Sequence, residues 1–179
     1  MEEQEIIENL QKGFKTDEAF KALITEHKVR LYWHIRTIVK THEDADDVLQ
    51  NTFIKVFKNI KSFKGNSKLF SWMFRIATNE SITFLNKKAK KMKLTNQELN
   101  EFLLDSLESD VYFEGDQIQL ELQKAIEKLP QQQKIVFNMR YFQEIPYEDM
   151  SEILESSVGT LKSNYHHARK KVEKFLKKD

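Results

Sequence analysis

The apolar positions of this chain recur at intervals of three and four almost from end to end, the spacing of one buried face of an α-helix. Phe20, Leu23, Ile24, Leu31, Ile35 and Ile38 set out a long first helix. Thr41 then predicts an N-cap with Asp44 three residues on, a capping-box arrangement. A second helix over 44–60 follows, with Ala45, Val48, Leu49, Phe53, Val56, Phe57 and Ile60 as its buried stripe. The polar loop Lys61–Ser67 leads to a third helix that opens near Lys68. It carries Leu69, Trp72, Met73, Ile76 and Ala77 and ends in a basic run, Lys87, Lys88, Lys90, Lys91 and Lys93. Further on, Leu120, Leu122, Ile126 and Leu129 form a helix stopped by Pro130, and Ile135, Val136, Met139 and Tyr141 form the next. Tyr147 to Lys171 reads as a short helix, a tight turn and a longer basic helix, the outline of a helix-turn-helix. There is no internal repeat.

Between Thr95 and Asp116 the character changes. Glu98, Glu101, Asp105, Glu108, Asp110, Glu114 and Asp116 meet no Lys or Arg. Phe102, Leu103, Leu104 and Leu107 interrupt the acids, so the segment reads as a linker that is partly helical or ordered only with a partner. The expected architecture is all-α: two small helical domains joined by an acidic linker, the C-terminal one a helix-turn-helix. The boundaries are an N-terminal extension 1–16, a first domain 17–92, the linker 93–116 and a second domain 117–179.

Composition narrows the chemistry. With 4 Gly and 2 Pro in 179 residues the chain has few helix breakers. It has no cysteine, which removes disulfides, thiolate metal sites and Cys nucleophiles. The acidic start MEEQEIIENLQ lacks the apolar stretch of a signal peptide, and no apolar run approaches the ~20 residues of a membrane span, so a soluble, cytoplasmic protein is expected. The net charge of +1 names no polyanion partner, but the charges are segregated into blocks.

Three faces carry candidate chemistry. On the last helix, capped by Ser157, the apolar stripe is Val158, Leu161, Tyr165, Ala168 and Val172. The opposite face holds Gly159, Ser163, His166, His167 and Lys170, flanked by Lys162 and Arg169 on one side and Thr160, Asn164 and Lys171 on the other. From Lys162 to Lys178 there are seven Lys or Arg against one acid, Glu173. Small hydrogen-bonding residues suit base edges and flanking cations suit phosphates. A solvated basic face explains the charge but not the short helix and turn before it. On helix 44–60 the outward face is Glu43, Asp44, Asp47, Gln50, Asn51 and Ile54. An isoleucine among acids and amides points to a protein contact. A plain solvated helix start and, more remotely, a metal or catalytic carboxylate site stand beside that reading. No second ligand cluster accompanies those acids, so neither a catalytic residue nor a metal, cofactor or small-molecule substrate is assigned. The loop Lys64-Gly65-Asn66-Ser67 lies between Phe63, Phe70, Trp72 and Phe74 and precedes the basic helix. That combination suits unstacked bases and their backbone, although periodicity alone favours core packing for the aromatic residues.

These segments in this order resemble the sigma-70 family, specifically its small two-domain sigma factors of extracytoplasmic-function (ECF) type. The resemblance rests on EDADDVLQNTFIKVF (Glu43–Phe57), FKGNSKLFSWMFRIATNESI (Phe63–Ile82) and the stretch Leu129–Val172, and spans nearly the whole chain except the first residues and the acidic linker. It implies a non-catalytic subunit that binds bacterial RNA polymerase core, through its β′ and β subunits, and promoter DNA. An anti-sigma factor is a possible further partner. Asp44, Asp47, Gln50, Asn51 and Ile54 would meet a coiled coil of β′. Lys64, Gly65, Asn66 and Ser67 would capture a flipped −10 base, with Arg75, Asn79, Lys87 and Lys88 beside the melting promoter. Ser157, Gly159, Thr160, Lys162, Ser163, His166, His167, Arg169 and Lys170 would read the −35 element. The linker would thread along the polymerase channel as a polyanion mimic. Three positions depart from the pattern: Pro146 stands where Ser is usual, Glu155 and Ser156 replace a Gly and an apolar residue at the turn, and Asn164 stands where an Arg is common. The alternative is a free-standing helix-turn-helix regulator.

Overall fold

A computed structural model describes residues 1–108 and 116–178. Its helices are α1 Glu3–Lys12, α2 Thr16–Val39, α3 His42–Asn59, α4 Leu69–Met92, α5 Asn96–Glu108, α6 Gln117–Glu127, α7 Gln131–Tyr141, α8 Tyr147–Leu154 and α9 Val158–Lys177, with a single 3-10 turn at Ile60–Ser62. Among the described residues there is no strand, and no helix is long and apolar enough to cross a membrane.

Local chemistry sets the helix ends. Thr41 Oγ1 accepts from the Asp44 N–H at 3.3 Å, so α3 starts where its cap residue stands. Asp116 caps α6 through Gln119 N–H at 2.9 Å, and Ser157 caps α9 through Thr160 N–H at 3.1 Å. Pro130 and Pro146 occupy the N-cap positions of α7 and α8 with φ of −54° and −59°. Pro146 therefore supplies backbone geometry without a side-chain acceptor, and the first-turn acids Glu148 and Asp149 answer the exposed N–H groups instead. Because glycine is scarce, several left-handed positions fall to other residues. Lys40 (φ 75°), Lys93 (54°), Glu144 (52°) and Glu155 (52°) end helices or turns at a cost of about 1 kcal/mol each.

The N-terminal extension is not a tail. α1 buries Ile6, Ile7 and Leu10 against α2, and Gln11 at its end donates to the carbonyls of Ile60 (3.1 Å) and Phe63 (2.8 Å). α1 to α4 form the first bundle around Leu23, Leu31, Ile35, Val48, Val56, Met73 and the fully buried Phe74. The C-terminal bundle, α6 to α9, has its own cluster of Ala125, Ile126, Leu129, Phe137, Ala168 and Val172. The acidic segment starts as an ordered helix: α5 buries Leu99 and Leu103, and its Thr95 and Glu98 exchange a reciprocal pair of hydrogen bonds (3.2 and 2.7 Å). Linker positions 109–115, including Asp110 and Glu114, lie outside the described residues.

The two bundles are packed together. α8 lies along α4 and α7 touches α2. Ile145, Met150 and Ile153 join the same buried cluster as Met73, Phe74 and Ala77. At this seam His34 is buried and takes a hydrogen bond from the Gln143 amide (3.0 Å), while its other nitrogen pairs with Thr78 Oγ1 (2.7 Å). An amide N–H can only donate, so Nδ1 accepts and the imidazole is neutral. Burial pushes the His34 pKa down to about 4, and the neighbouring Arg30 cation acts in the same direction. A depressed folded-state value means that His34 stabilises the native chain fully above about pH 6.5 and that this contribution is lost as pH falls toward 4. Unfolding followed by circular dichroism is expected to show that loss between these pH values, and His34→Gln is expected to flatten the slope.

Candidate protein and nucleic-acid interfaces

α3 presents its partner face to solvent. Asp47, Gln50, Asn51 and Ile54 are exposed at helical spacings of three and four, and Ile54 is 51% exposed although Val48, Phe53 and Val56 on the other side are buried. Phe57 extends this face. Its place in the apolar stripe predicts burial, yet it is 45% exposed, resting edge-on against Phe20 with ring centroids 4.9 Å apart. Ile54 and Phe57 thus make an apolar pair rimmed by Asp47, Gln50 and Asn51, the composition of an interface centre with a polar rim. Asp44 is not on the open part of that face. Its carboxylate receives Lys88 Nζ at 2.6 Å, with both side chains about four-fifths covered. The capping box is therefore half formed: Thr41 caps Asp44, but Asp44 turns to α4 instead of back to the Thr41 N–H.

The loop after α3 is open at its tip. Lys64, Gly65 and Asn66 are exposed and Ser67 is half-buried. Gly65 has φ +74°, and a Cβ added there would meet nothing within 4 Å. Glycine is needed for the backbone angle rather than for room. The surrounding aromatic residues divide between the two uses the sequence left open. Phe74 is core. Trp72 and Phe63 are half-buried with ring centroids 5.2 Å apart at the base of the loop, and Phe70 is half-buried under the Arg30 guanidinium at 3.9 Å. Gln11 fixes the loop's first carbonyls from α1, a contact the sequence does not signal.

Along α4 the predicted contacts separate into two groups. Asn79 and Lys87 are exposed. Arg75 pairs with Glu155 of the helix-turn-helix turn at 2.9 Å, and Lys88 pairs with Asp44 while lying 5.8 and 5.5 Å over the Phe84 and Phe102 rings. Lys68, just before α4, pairs with Asp149 of α8 at 2.8 Å, and that carboxylate raises its pKa. In this closed form α8 therefore covers one side of the helix expected to meet the melted strand.

The helix-turn-helix is built as its sequence reads. α8 ends at Glu155, the turn is fixed by Ser151 Oγ donating to the Ser156 carbonyl at 2.6 Å, and α9 runs to Lys177. Leu161, Ala168 and Val172 are buried, and Phe137 stacks on Tyr165 at 5.9 Å to seat α9 on α7. Gly159, Thr160, Lys162, Ser163, His166, His167, Arg169 and Lys170 all face solvent together. Ser157 is exposed as well, with its hydroxyl committed to capping Thr160. Arg169 bonds Glu173 on the surface at 3.1 Å, and Lys162 leans toward the Tyr147 ring at 5.7 Å.

The pattern of residues has counterparts in known proteins. Residues 23–91 match the family model "Sigma-70 region 2" and residues 119–172 match "Sigma-70, region 4". The RNA polymerase sigma-H factor of Pseudomonas aeruginosa is 26% identical over 98% of this chain and 94% of its own length. The ECF RNA polymerase sigma factor SigW of Bacillus subtilis is 29% identical over 96% of this chain and 95% of its own. Among solved structures, CnrH in complex with the cytosolic domain of CnrY aligns with a TM-score of 0.70 over 97% of this chain and 96% of that one, at 19% identity. The sigma factor RpoE of Bartonella quintana, in complex with the anti-sigma factor NepR, aligns with a TM-score of 0.66 over 89% and 98%, at 22% identity. With both family regions present in order on one all-helical chain, the protein belongs to the sigma-70 family of RNA polymerase sigma factors, in its extracytoplasmic-function branch.

Proposed function

We propose that this chain is a non-catalytic specificity subunit that carries bacterial RNA polymerase core to promoters, gripping core through Asp47, Gln50, Asn51, Ile54 and Phe57. It would take the melted −10 strand with the Lys64–Ser67 loop and the Arg75, Asn79 and Lys87 side of α4, and read the −35 duplex with α9. The observation that carries this reading is the coexistence of three separate exposed faces on one small chain: an apolar pair with an acidic rim, a glycine-tipped loop over aromatic residues, and a basic recognition helix. A free-standing regulator needs only the last.

The domains proposed are 17–92, extended at its start to take in α1, and 117–179. Simultaneous reading requires the bundles to part. Elements named for positions 25 base pairs apart lie ~85 Å apart along duplex axis at 3.4 Å per pair. The linker Lys93–Asp116, fully extended, reaches at most roughly 80 Å. The closed form cannot span such a distance, whereas a separated pair of bundles can. The closed seam also gives an antagonist something to hold, and the solved relatives captured with CnrY and NepR support an anti-sigma protein as a further partner of this chain.

The test is direct. The purified protein mixed with core polymerase is expected to co-elute as a stable complex and to initiate from a discrete set of promoters selected out of a randomised library. Absence of the complex would sink the reading, and tight palindromic duplex binding without polymerase would replace it with the regulator. Within α9, Lys162→Ala is expected to weaken binding to all −35 sequences alike and to lower the salt slope by about one. Ser163→Ala is expected to re-rank −35 sequences, by about 1–3 kcal/mol at the base it meets. Parallel behaviour of the two variants in a binding-and-sequencing assay would contradict the face assignment.

A further inference from the structure

α1 and α2 bring together three side chains that the promoter reading does not use. His27 of α2 is 8% exposed, and its Nε2 is buried with no hydrogen-bond partner. Leaving a buried imidazole nitrogen unsatisfied is unfavourable, and such an atom calls for a ligand. Two exposed carboxylates stand beside it, Glu26 from the adjacent position on α2 and Glu3 from the first turn of α1. One donor atom from each of the three lies within 4.8 Å of the others. Donors around a tetrahedral zinc ion, bound at 2.0–2.1 Å, sit about 3.3 Å apart. Glu3 and Glu26 are exposed side chains, so the remaining gap of at most about 1.5 Å is closed by side-chain rotation with no backbone shift.

We infer that Glu3, Glu26 and His27 form a binding site for a divalent transition cation, with zinc the best fit to one imidazole nitrogen and two carboxylate oxygens. Mixed nitrogen and oxygen donors select borderline metals over Mg²⁺ and Ca²⁺, which take oxygen cages. Burial lowers the His27 pKa, and the opposing pull of Glu26 and Glu3 does not reverse it. The two carboxylates offset the cation's charge, and water fills the remaining position. Glu26 and His27 are adjacent on α2, but Glu3 comes from α1 more than twenty positions earlier, so no motif spacing reveals the set.

The site has a mechanical consequence. A cation held by Glu3 on α1 and by Glu26 and His27 on α2 ties the first turn of α1 down, while Gln11 at the other end of α1 holds the carbonyls of Ile60 and Phe63 at the root of the Lys64–Ser67 loop. Metal occupancy then sets how firmly that loop is anchored. This consequence rests on the loop's proposed −10 role; cation binding does not, and it is measured without polymerase or DNA.

Titration of the full chain with ZnCl₂ is expected to give one ion per chain and, at a hundredfold excess over Kd, a Tm increase of about 5 °C. Co²⁺ is expected to give the visible absorption of a low-coordinate site. Glu3→Gln and Glu26→Gln lie on the surface, preserve the fold, and are each expected to weaken binding at least tenfold; His27→Asn should abolish it. His166→Asn with His167→Asn removes the exposed histidine pair of α9 and should leave binding unchanged. The proposal is overturned if the wild-type chain binds no ion, if binding survives both glutamate substitutions, or if it disappears only with the α9 pair.

Discussion

Replacing Glu127 with alanine is expected to shift the balance between closed and open bundles toward open by about two to four orders of magnitude. Glu127 is 3% exposed at the end of α6 and faces two lysines. Lys40, from the end of α2 in the other bundle, is also 3% exposed and places its Nζ 2.6 Å from one carboxylate oxygen. Lys134 of α7 reaches the second oxygen at 2.9 Å. Burial pushes the Glu127 carboxyl upward, but Lys40 and then Lys134 outweigh it and hold the group below the usual carboxylate range. Removing one member of a buried ion network leaves an uncompensated charge at a cost of about 3–5 kcal/mol. Here the chain has a remedy short of unfolding. Lys40 and Glu127 sit on opposite bundles, so parting them returns the Lys40 ammonium to water. Small-angle scattering should record a larger radius of gyration for Glu127→Ala, with each bundle's helix content retained. Lys40→Met in the same background should restore closure, because an apolar side chain of similar length removes the stranded charge. A full loss of helix with no expansion of a folded chain would show instead that the ion network serves folding and not the seam. The sign with pH follows from the same geometry. A depressed carboxyl stabilises closure above its unfolded value near 4.5, and this contribution is lost as pH falls through the lower folded one, in the same direction as the loss expected at His34.

Opening has a functional correlate. Lys68 and Arg75 are held by Asp149 and Glu155 when α8 lies on α4. These two pairs are exposed on one side at least and contribute little to stability by themselves. Their importance is positional, because one occupies Arg75, a cation that the promoter reading assigns to the −10 strand, and the other holds Lys68 directly beside the Lys64–Ser67 loop. The closed chain is therefore expected to bind single-stranded −10 DNA more weakly than the Glu127→Ala variant does. Equal affinities would separate closure from promoter access.

These cross-bundle pairs also mark the limit of what the sequence discloses. Helix periodicity located α2, α3, α4, α7, α8 and α9 because each buries one stripe, and the solvent face of α9 follows from the same arithmetic. Ile6, Ile7 and Leu10 carry the equivalent signal for α1, but over too few turns to stand out from an acidic tail. Thr95-Asn96-Gln97-Glu98 is a complete capping-box pattern, and the ordered start of the acidic segment was legible there. Thr41 and Asp44 read as the same pattern, yet the Asp44 carboxylate turns to Lys88, a choice made in tertiary space. Phe57 lies at the edge of its stripe, where a small rotation of α3 decides between burial and exposure. Lys68 with Asp149, Arg75 with Glu155, and Lys40 with Glu127 join residues about eighty positions apart. Nothing in local spacing encodes which surface of one bundle meets which surface of the other.

Charge reversal at Asp47 is expected to reduce core-polymerase binding by about thirtyfold or more while leaving the fold intact. Asp47 and Ile54 are exposed on α3, about one and about three helical turns from the Lys88–Asp44 pair that ties α3 to α4. Substitution at such a surface changes stability by no more than about 0.5 kcal/mol, so Asp47→Lys should melt within about 2 °C of the wild type. At an interface the same change removes one favourable charge contact and installs a repulsive one, an effect of about 2–5 kcal/mol. Ile54→Ala tests the apolar centre of the same face and is expected to cost about 1–2 kcal/mol, roughly tenfold in affinity. Asp44→Asn should behave differently from both. It breaks the contact with Lys88, so it should loosen α3 from α4 and lower thermal stability, with a smaller effect on core binding. The three variants thus separate a docking residue, an apolar anchor and a structural brace on one helix. Retention of wild-type core affinity by Asp47→Lys would move the polymerase contact off α3. A melting temperature that falls as far for Asp47→Lys as for Asp44→Asn would assign the whole acidic face to holding the bundle together.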